Sequence, residues 1–140
     1  MMTNRTFALI KPGAVRKNHY GEVIYLITKA GFALKAMKMI RLSKTDARRF
    51  YAVHEGKEFF DRLTRFISSG PVVALVLEKE NAVEEFRKLI GATDPAKAVE
   101  GTIRNLFGES VTMNAVHGSD SDENAVKEWS FFFAQEEILD

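Results

Sequence analysis

The chain of 140 residues contains no cysteine. Disulfides, thiolate zinc sites and thiol nucleophiles are therefore excluded by inventory, and any covalent chemistry falls to another group. An excess of one charge is missing as well. The 20 basic and 19 acidic residues leave a formal net charge of +1, which argues against a dedicated nucleic-acid module while leaving room for a local basic pocket. No apolar run reaches the roughly 18 residues of a membrane span. The start, Met1-Met2-Thr3-Asn4-Arg5, has neither the apolar stretch nor the small-residue cleavage site of a leader. A soluble cytosolic protein without a membrane partner is expected. Neither GxxxxGK(S/T) nor GxGxxG occurs, so phosphate binding would have to use side chains rather than a glycine-rich cradle. His19, His54 and His117 lack HxxxH or HExxH spacing, and Asp120, Asp122 and Glu123 are explained as favourable charge at a helix start. No protein-ligated metal is expected. With no repeat, low-complexity segment or linker, residues 1–140 read as one domain, large enough to bury about two thirds of the surface of its unfolded chain.

Hydrophobic patterning supplies the elements. Arg5 to Ile10 is short and apolar and ends at the breaker Lys11-Pro12-Gly13, which fits a buried strand followed by a lysine-bearing loop. Tyr20 to Ala30 aligns Val23, Ile24, Ile27 and Ala30 on one helical face, with Gly31 as the stop. Phe32 to Leu42 alternates imperfectly, as a strand with one wet face and a bulge would. Ser43 and Asp46 are spaced as a capping box for a helix to about Val53, and Phe59 to Ser69 forms a second helix closed by Gly70-Pro71. Val72 to Leu77 is the unbroken apolar run of a central strand. Ala82 to Ile90 repeats apolar residues at helical spacing and stops at Gly91; a long loop to Gly101 and a helical turn at Thr102 to Phe107 follow. Val111 to Val116 reads as the last strand and Asp120 to Phe133 as the last helix, burying Val126, Trp129 and Phe133, with a frayed acidic tail from Gln135 to Asp140. This order accommodates either a parallel or an antiparallel sheet.

The residues with chemical capacity sit at element ends. His117 lies in Asn114-Ala115-Val116-His117-Gly118-Ser119-Asp120-Ser121, where an apolar run ends in an imidazole and a glycine turn. A strand-to-helix junction of that kind is stiff enough to aim one side chain at a ligand, and an imidazole, with an intrinsic pKa of about 6.5, is nucleophilic without assistance. Lys11, Arg87 and Arg104 also lie near element ends. Lysine and arginine bring positive charge to phosphates, arginine in bidentate geometry. Tyr51 and Phe59 flank the charged turn His54-Glu55-Gly56-Lys57-Glu58, where a base could stack between two helices.

Four segments, Leu9-Ile10-Lys11-Pro12-Gly13-Ala14-Val15, Ser68-Ser69-Gly70-Pro71-Val72-Val73-Ala74, Gly91-Ala92-Thr93-Asp94-Pro95 and the run around His117, together closely resemble nucleoside diphosphate kinases from about Thr6 to Phe133. The resemblance implies a ferredoxin-like α/β (α+β) sandwich, a four-stranded antiparallel sheet covered by helices. It implies ping-pong transfer of a γ-phosphate between nucleoside tri- and diphosphates through a phosphohistidine. His117 matches the nucleophile, Glu128 the acid that orients it, and Ser119 the serine supporting that pair. Lys11, Tyr51, Arg87, Thr93, Arg104 and Asn114 match the nucleotide-contacting set: Arg87, Thr93 and Arg104 on the phosphates, Lys11 and Asn114 on the ribose hydroxyls, with Lys11 also near the transferred group. Phe59 matches the aromatic that stacks on the base, with Val111 opposite, and such stacking implies broad base and sugar specificity. Magnesium is implied as a passenger on the nucleotide's phosphates, and a homo-oligomer, tetramer or hexamer, as the assembly. Departures from the family pattern are Glu100 in place of a common proline, Asn105-Leu106 in place of a pair with an aspartate, and Gly13 where aspartate is frequent. A nucleotide sensor or nucleic-acid binder on the same fold would use Phe59 and the basic residues without phosphoryl chemistry. A binder has no need of a histidine paired with an acid, and no aromatic RNA-binding strand motif is present. A relay of phosphate from histidine to other proteins could coexist with the kinase.

Overall fold

The computed structural model describes residues 4–140; the reading of Met1 to Thr3 as free of a leader lies outside them. Four strands, β1 (Arg5–Ile10), β2 (Ala33–Arg41), β3 (Pro71–Glu78) and β4 (Val116–Gly118), form one sheet in the order β2-β3-β1-β4. Every neighbouring pair is antiparallel. The helices are α1 (Pro12–Arg16), α2 (Tyr20–Lys29), α3 (Lys44–Phe50), α4 (Phe60–Ile67), α5 (Ala82–Ile90), α6 (Ile103–Phe107) and α7 (Asp122–Phe132). Central strands buried on both faces explain the unbroken apolar runs of β1 and β3, because alternate residues serve two cores. Ala8, Ile10, Val73, Leu75 and Leu77 pack with Val23 and Ile27 of α2 and Phe86 and Ile90 of α5. Phe7, Leu9, Val72, Ala74 and Val76 pack with Ala47 of α3, Phe60 and Ile67 of α4, and Phe132 of α7. This is the ferredoxin-like α/β sandwich, and the antiparallel ladder settles the sheet direction that periodicity left open.

Most expected elements stand where the pattern put them, including the β2 bulge between Leu34 and Ala36 and the Ser43 cap, whose side chain accepts from the Asp46 amide at 3.0 Å. Five differ. The lysine-bearing loop contains the short helix α1, with Pro12 in its first turn, where a missing N–H costs nothing. The helix begun at Ser43 ends at Phe50, and a 3-10 turn, Ala52–His54, completes the segment. The expected strand Val111 to Val116 is instead a loop, exposed at Val111 and Met113 and buried at Asn114 and Ala115, closed on itself by Glu109 and Ser110 amides donating to the Met113 carbonyl, and β4 starts at Val116. The buried stripe of α7 runs through Ala125, half-buried Trp129 and Phe132, and Phe133 just past its end is buried as expected, while Val126 is 42% exposed. The tail is docked: Ile138 packs on the core, the Leu139 amide donates to the Lys35 carbonyl at 2.8 Å, and Lys38 pairs with Glu137 at 2.9 Å.

Candidate active site

His117 is the middle residue of β4, paired opposite Leu9. Its ring therefore lies on the same sheet face as Leu9, under α3, α4 and α7. The sequence placed it just after the strand; it lies within it because the preceding chain turns sharply. Ala115 has φ +77° and the Val116 amide donates back to the Asn114 carbonyl at 3.0 Å. This is a three-residue γ-turn with positive φ, a strained conformation for a residue with a side chain. The Lys11 amide donates to the Ala115 carbonyl at 2.8 Å, so the turn locks to the end of β1. On the other side, Gly118 lets β4 approach α5: a Cβ there would lie 2.8 Å from the Phe86 ring.

The imidazole is held on one edge. Nε2 of His117 lies 2.8 Å from Oε1 of Glu128, and the Ser119 hydroxyl donates to the same oxygen at 2.5 Å. A carboxylate accepts, so Nε2 carries the proton, and the Nδ1 lone pair is left for chemistry. Rings of Phe50 and Tyr51 meet the imidazole edge to face at 5.7 and 6.3 Å, and Phe7 lies at 6.2 Å. Phe50 and Phe7 were not singled out from the sequence, and Phe50's position beside Tyr51 at the end of α3 was the signal available.

Cations gather beside the start of β4. Lys11, only 5% exposed, donates from Nζ to Oδ1 of Asn114 at 2.7 Å, and Asn114 Nδ2 donates to the Thr93 carbonyl at 3.0 Å. Burial, with the Arg104 charge added, brings the Lys11 ammonium down from 10.5 to about 7. Arg104 donates to the Gly91 and Val116 carbonyls, each at 3.0 Å. Burial and then the neighbouring charge of exposed Arg87 lower its pKa to about 10. Tyr51 is held protonated by burial and by the Glu128 charge. Its hydroxyl and the Arg104 Nε are buried without a partner among the described residues, two polar atoms that suit a polar ligand.

Phe59, at the start of α4, is 37% exposed, and Val111, in the loop before β4, is 54% exposed. His54, absent from the expected site, connects Phe59 to Tyr51, with ring distances of 5.3 and 6.2 Å. Burial, then the Lys57 charge beside its Nδ1, lowers the His54 pKa. The structure thus brings His117, Glu128, Ser119, Lys11, Asn114, Thr93, Arg104, Arg87 and Tyr51 together, with Phe59 and Val111 at the rim. No group of three His, Cys, Asp or Glu side chains able to hold a metal occurs among the described residues, and among them no helix is long and apolar enough to cross a membrane. A concavity of about 400 Å³ lined by Lys44, Arg48, Asp61 and Arg65 has no nucleophile in its wall, so the chemistry, not the volume, locates the site.

A family model described as nucleoside diphosphate kinase matches residues 4–138. The chain is 59% identical over 139 residues to the nucleoside diphosphate kinase of Salinibacter ruber, covering 99% of this chain and 98% of that protein. It is 54% identical over 137 residues to that of Flavobacterium psychrophilum, covering 98% and 99%. Among solved structures, the Aquifex aeolicus nucleoside diphosphate kinase superposes with a TM-score of 0.95 at 42% identity, covering 97% of this chain and 99% of that one. A halophilic nucleoside diphosphate kinase from Halobacterium salinarum in complex with CDP gives 0.92 at 37% identity, covering 99% and 92%.

Proposed function

This chain belongs to the nucleoside diphosphate kinase family, and we propose that it is a single-domain phosphotransferase working by ping-pong through a phosphohistidine at His117. The observation that carries the reading is the 2.8 Å bond from His117 Nε2 to Glu128, which leaves Nδ1 as the free nucleophilic atom. In the first half-reaction Nδ1 attacks the γ-phosphorus, the bond to the β,γ-bridging oxygen breaks, and the diphosphate departs. In the second, a terminal oxygen of another diphosphate takes the phosphoryl group and restores the imidazole. Positive charge that develops on the ring meets the Glu128 carboxylate, which Ser119 holds in place.

Phosphoryl transfer asks little of a protein beyond positioning and charge. Arg87, Thr93 and Arg104 would hold the phosphates. Lys11 and Asn114 would meet the ribose hydroxyls, with Lys11 reaching the transferred group, and the Tyr51 hydroxyl would find its partner on bound nucleotide. The base would lie between Phe59 and Val111; stacking without reading base edges tolerates purines and pyrimidines alike. The Halobacterium relative was solved in complex with CDP, which supports a nucleotide as the ligand. The donor set is cationic and its one carboxylate beside His117 is already engaged, which fits a divalent ion arriving on the nucleotide rather than one bound by the protein. Magnesium so carried neutralises phosphate charge. We place the enzyme in the cytoplasm as a tetramer or hexamer. Its edge strand β2, with Met37 and Met39 more than half exposed, is a surface a second copy would cover.

Replacing His117 with alanine tests the mechanism. Transfer from ATP to a diphosphate should vanish while nucleotide binding persists. Steady turnover in clean protein would overturn it.

A further inference from the structure

The α3–α4 hairpin packs on the sheet face that carries His117, and its attachment is uneven. Ala47, Tyr51, Phe60 and Ile67 are buried in the core beneath it. Beyond the residues that flank it, a single hydrogen bond joins residues 44–67 to the rest of the described chain, and no ion pair does. That bond runs from Nε of Arg62 to Oγ1 of Thr112, at 3.0 Å. Its two ends flank the rim pair: Arg62 lies three residues after Phe59, and Thr112 adjoins Val111. The loop that carries Thr112 is firm. The Met113 amide donates to the Ser110 hydroxyl at 3.0 Å, the Glu109 amide to the Met113 carbonyl at 2.8 Å, and Lys17 pairs with Glu109 at 2.6 Å. One wall of the slot is thus fixed, and the other is apolar-packed at its base and tied at its mouth by one bond.

We infer that the Arg62–Thr112 bond is a clasp that sets the opening of the nucleotide slot, making Arg62 a positioning residue that acts through Phe59. The inference rests on the kinase reading for what enters the slot, but the clasp itself exists without a ligand. An exposed bond from a charged donor is modest, and a partly ordered wall must be ordered by the nucleotide at some expense of affinity. Loss of the clasp should therefore weaken binding of every nucleotide by about fivefold, without touching the reacting atoms.

The test uses Arg62→Ala, Thr112→Val, Thr112→Ser and the double variant Arg62→Ala with Thr112→Val, on the full chain. Hydrogen exchange of the unliganded protein is read over residues 57–63 and 109–113, together with CDP and ADP affinity and the saturated rate of phosphoenzyme formation. Arg62→Ala and Thr112→Val should each speed exchange in the hairpin segment and raise both dissociation constants about fivefold, and the double variant should be no worse than either. Thr112→Ser, which keeps the hydroxyl, should match the parent, and the saturated rate should change less than twofold. Unchanged exchange would overturn the clasp. So would losses that multiply in the double variant, which would put Arg62 on the nucleotide itself, or Thr112→Ser behaving as Thr112→Val. A parent protein that binds no nucleotide would overturn the kinase reading instead, and the exchange measurement tells the two failures apart.

Discussion

Replacing Lys11 with methionine should remove a pH dependence from folding. The folded ammonium titrates near 7 against an ordinary 10.5 because it is buried, with the Arg104 charge adding to the effect. The unfolded chain therefore holds a proton between about pH 7 and 10.5 that the folded chain has released, and stability rises with pH across that window. Below pH 7 both states are protonated and the full penalty, about 5 kcal/mol for the gap, is present. The slope approaches 1.4 kcal/mol per pH unit where one proton separates the states. Tyr51 acts in the opposite sense: its raised pKa keeps a proton in the folded state, so stability falls as pH climbs above about 10. Urea unfolding at pH 7.5, 8.5 and 9.5 isolates Lys11. Across these two units the parent should gain about 2–3 kcal/mol relative to the Lys11→Met variant. The Asn114 Oδ1 left without its donor shifts the variant by a constant and leaves the slope alone. Parallel pH profiles for the two proteins would refute the argument.

Three further outcomes follow from the same geometry. Nucleotide phosphates should draw the proton back to Lys11, so ADP binding at pH 8 takes up about one proton and weakens as pH rises above 7; calorimetry in buffers of different ionisation enthalpy reads the uptake, and its absence would count against Lys11 at the phosphates. Gly118→Ala forces a Cβ to within 2.8 Å of the buried Phe86 ring, which should cost about 1–3 kcal/mol and reduce transfer by displacing His117, checked by denaturation and single-turnover rates. Phe59→Ala should weaken purine and pyrimidine nucleotides alike by about 1–3 kcal/mol, measured as dissociation constants for ADP and CDP; a loss confined to purines would contradict stacking.

Legibility in the sequence followed the range of the forces involved. Val72 to Leu77 and Ala82 to Ile90 announce themselves because burial on two faces or on one helical stripe repeats along the chain, and both stand where the pattern put them. The segment 111–116 is as apolar as a strand, yet strain at Ala115 turns it, a decision made by the Lys11 amide that binds the Ala115 carbonyl from far away in sequence. The same holds for the tail, whose polar composition gave no sign of the Leu139 to Lys35 bond. Within the site, the cations and His117 were visible as residue types at element ends, and the family resemblance supplied their grouping. Phe50, His54 and the Arg62–Thr112 bond were not visible, because each depends on how α3 and α4 fold back over the sheet.

The most direct test of the account is intact-protein mass spectrometry after brief incubation with magnesium and ATP, followed by addition of GDP or CDP. The expected result is a gain of one phosphoryl group, located on His117, that is removed by either diphosphate as the matching triphosphate forms. Protein that binds nucleotide but never carries phosphate, or carries it on another residue, would contradict the mechanism.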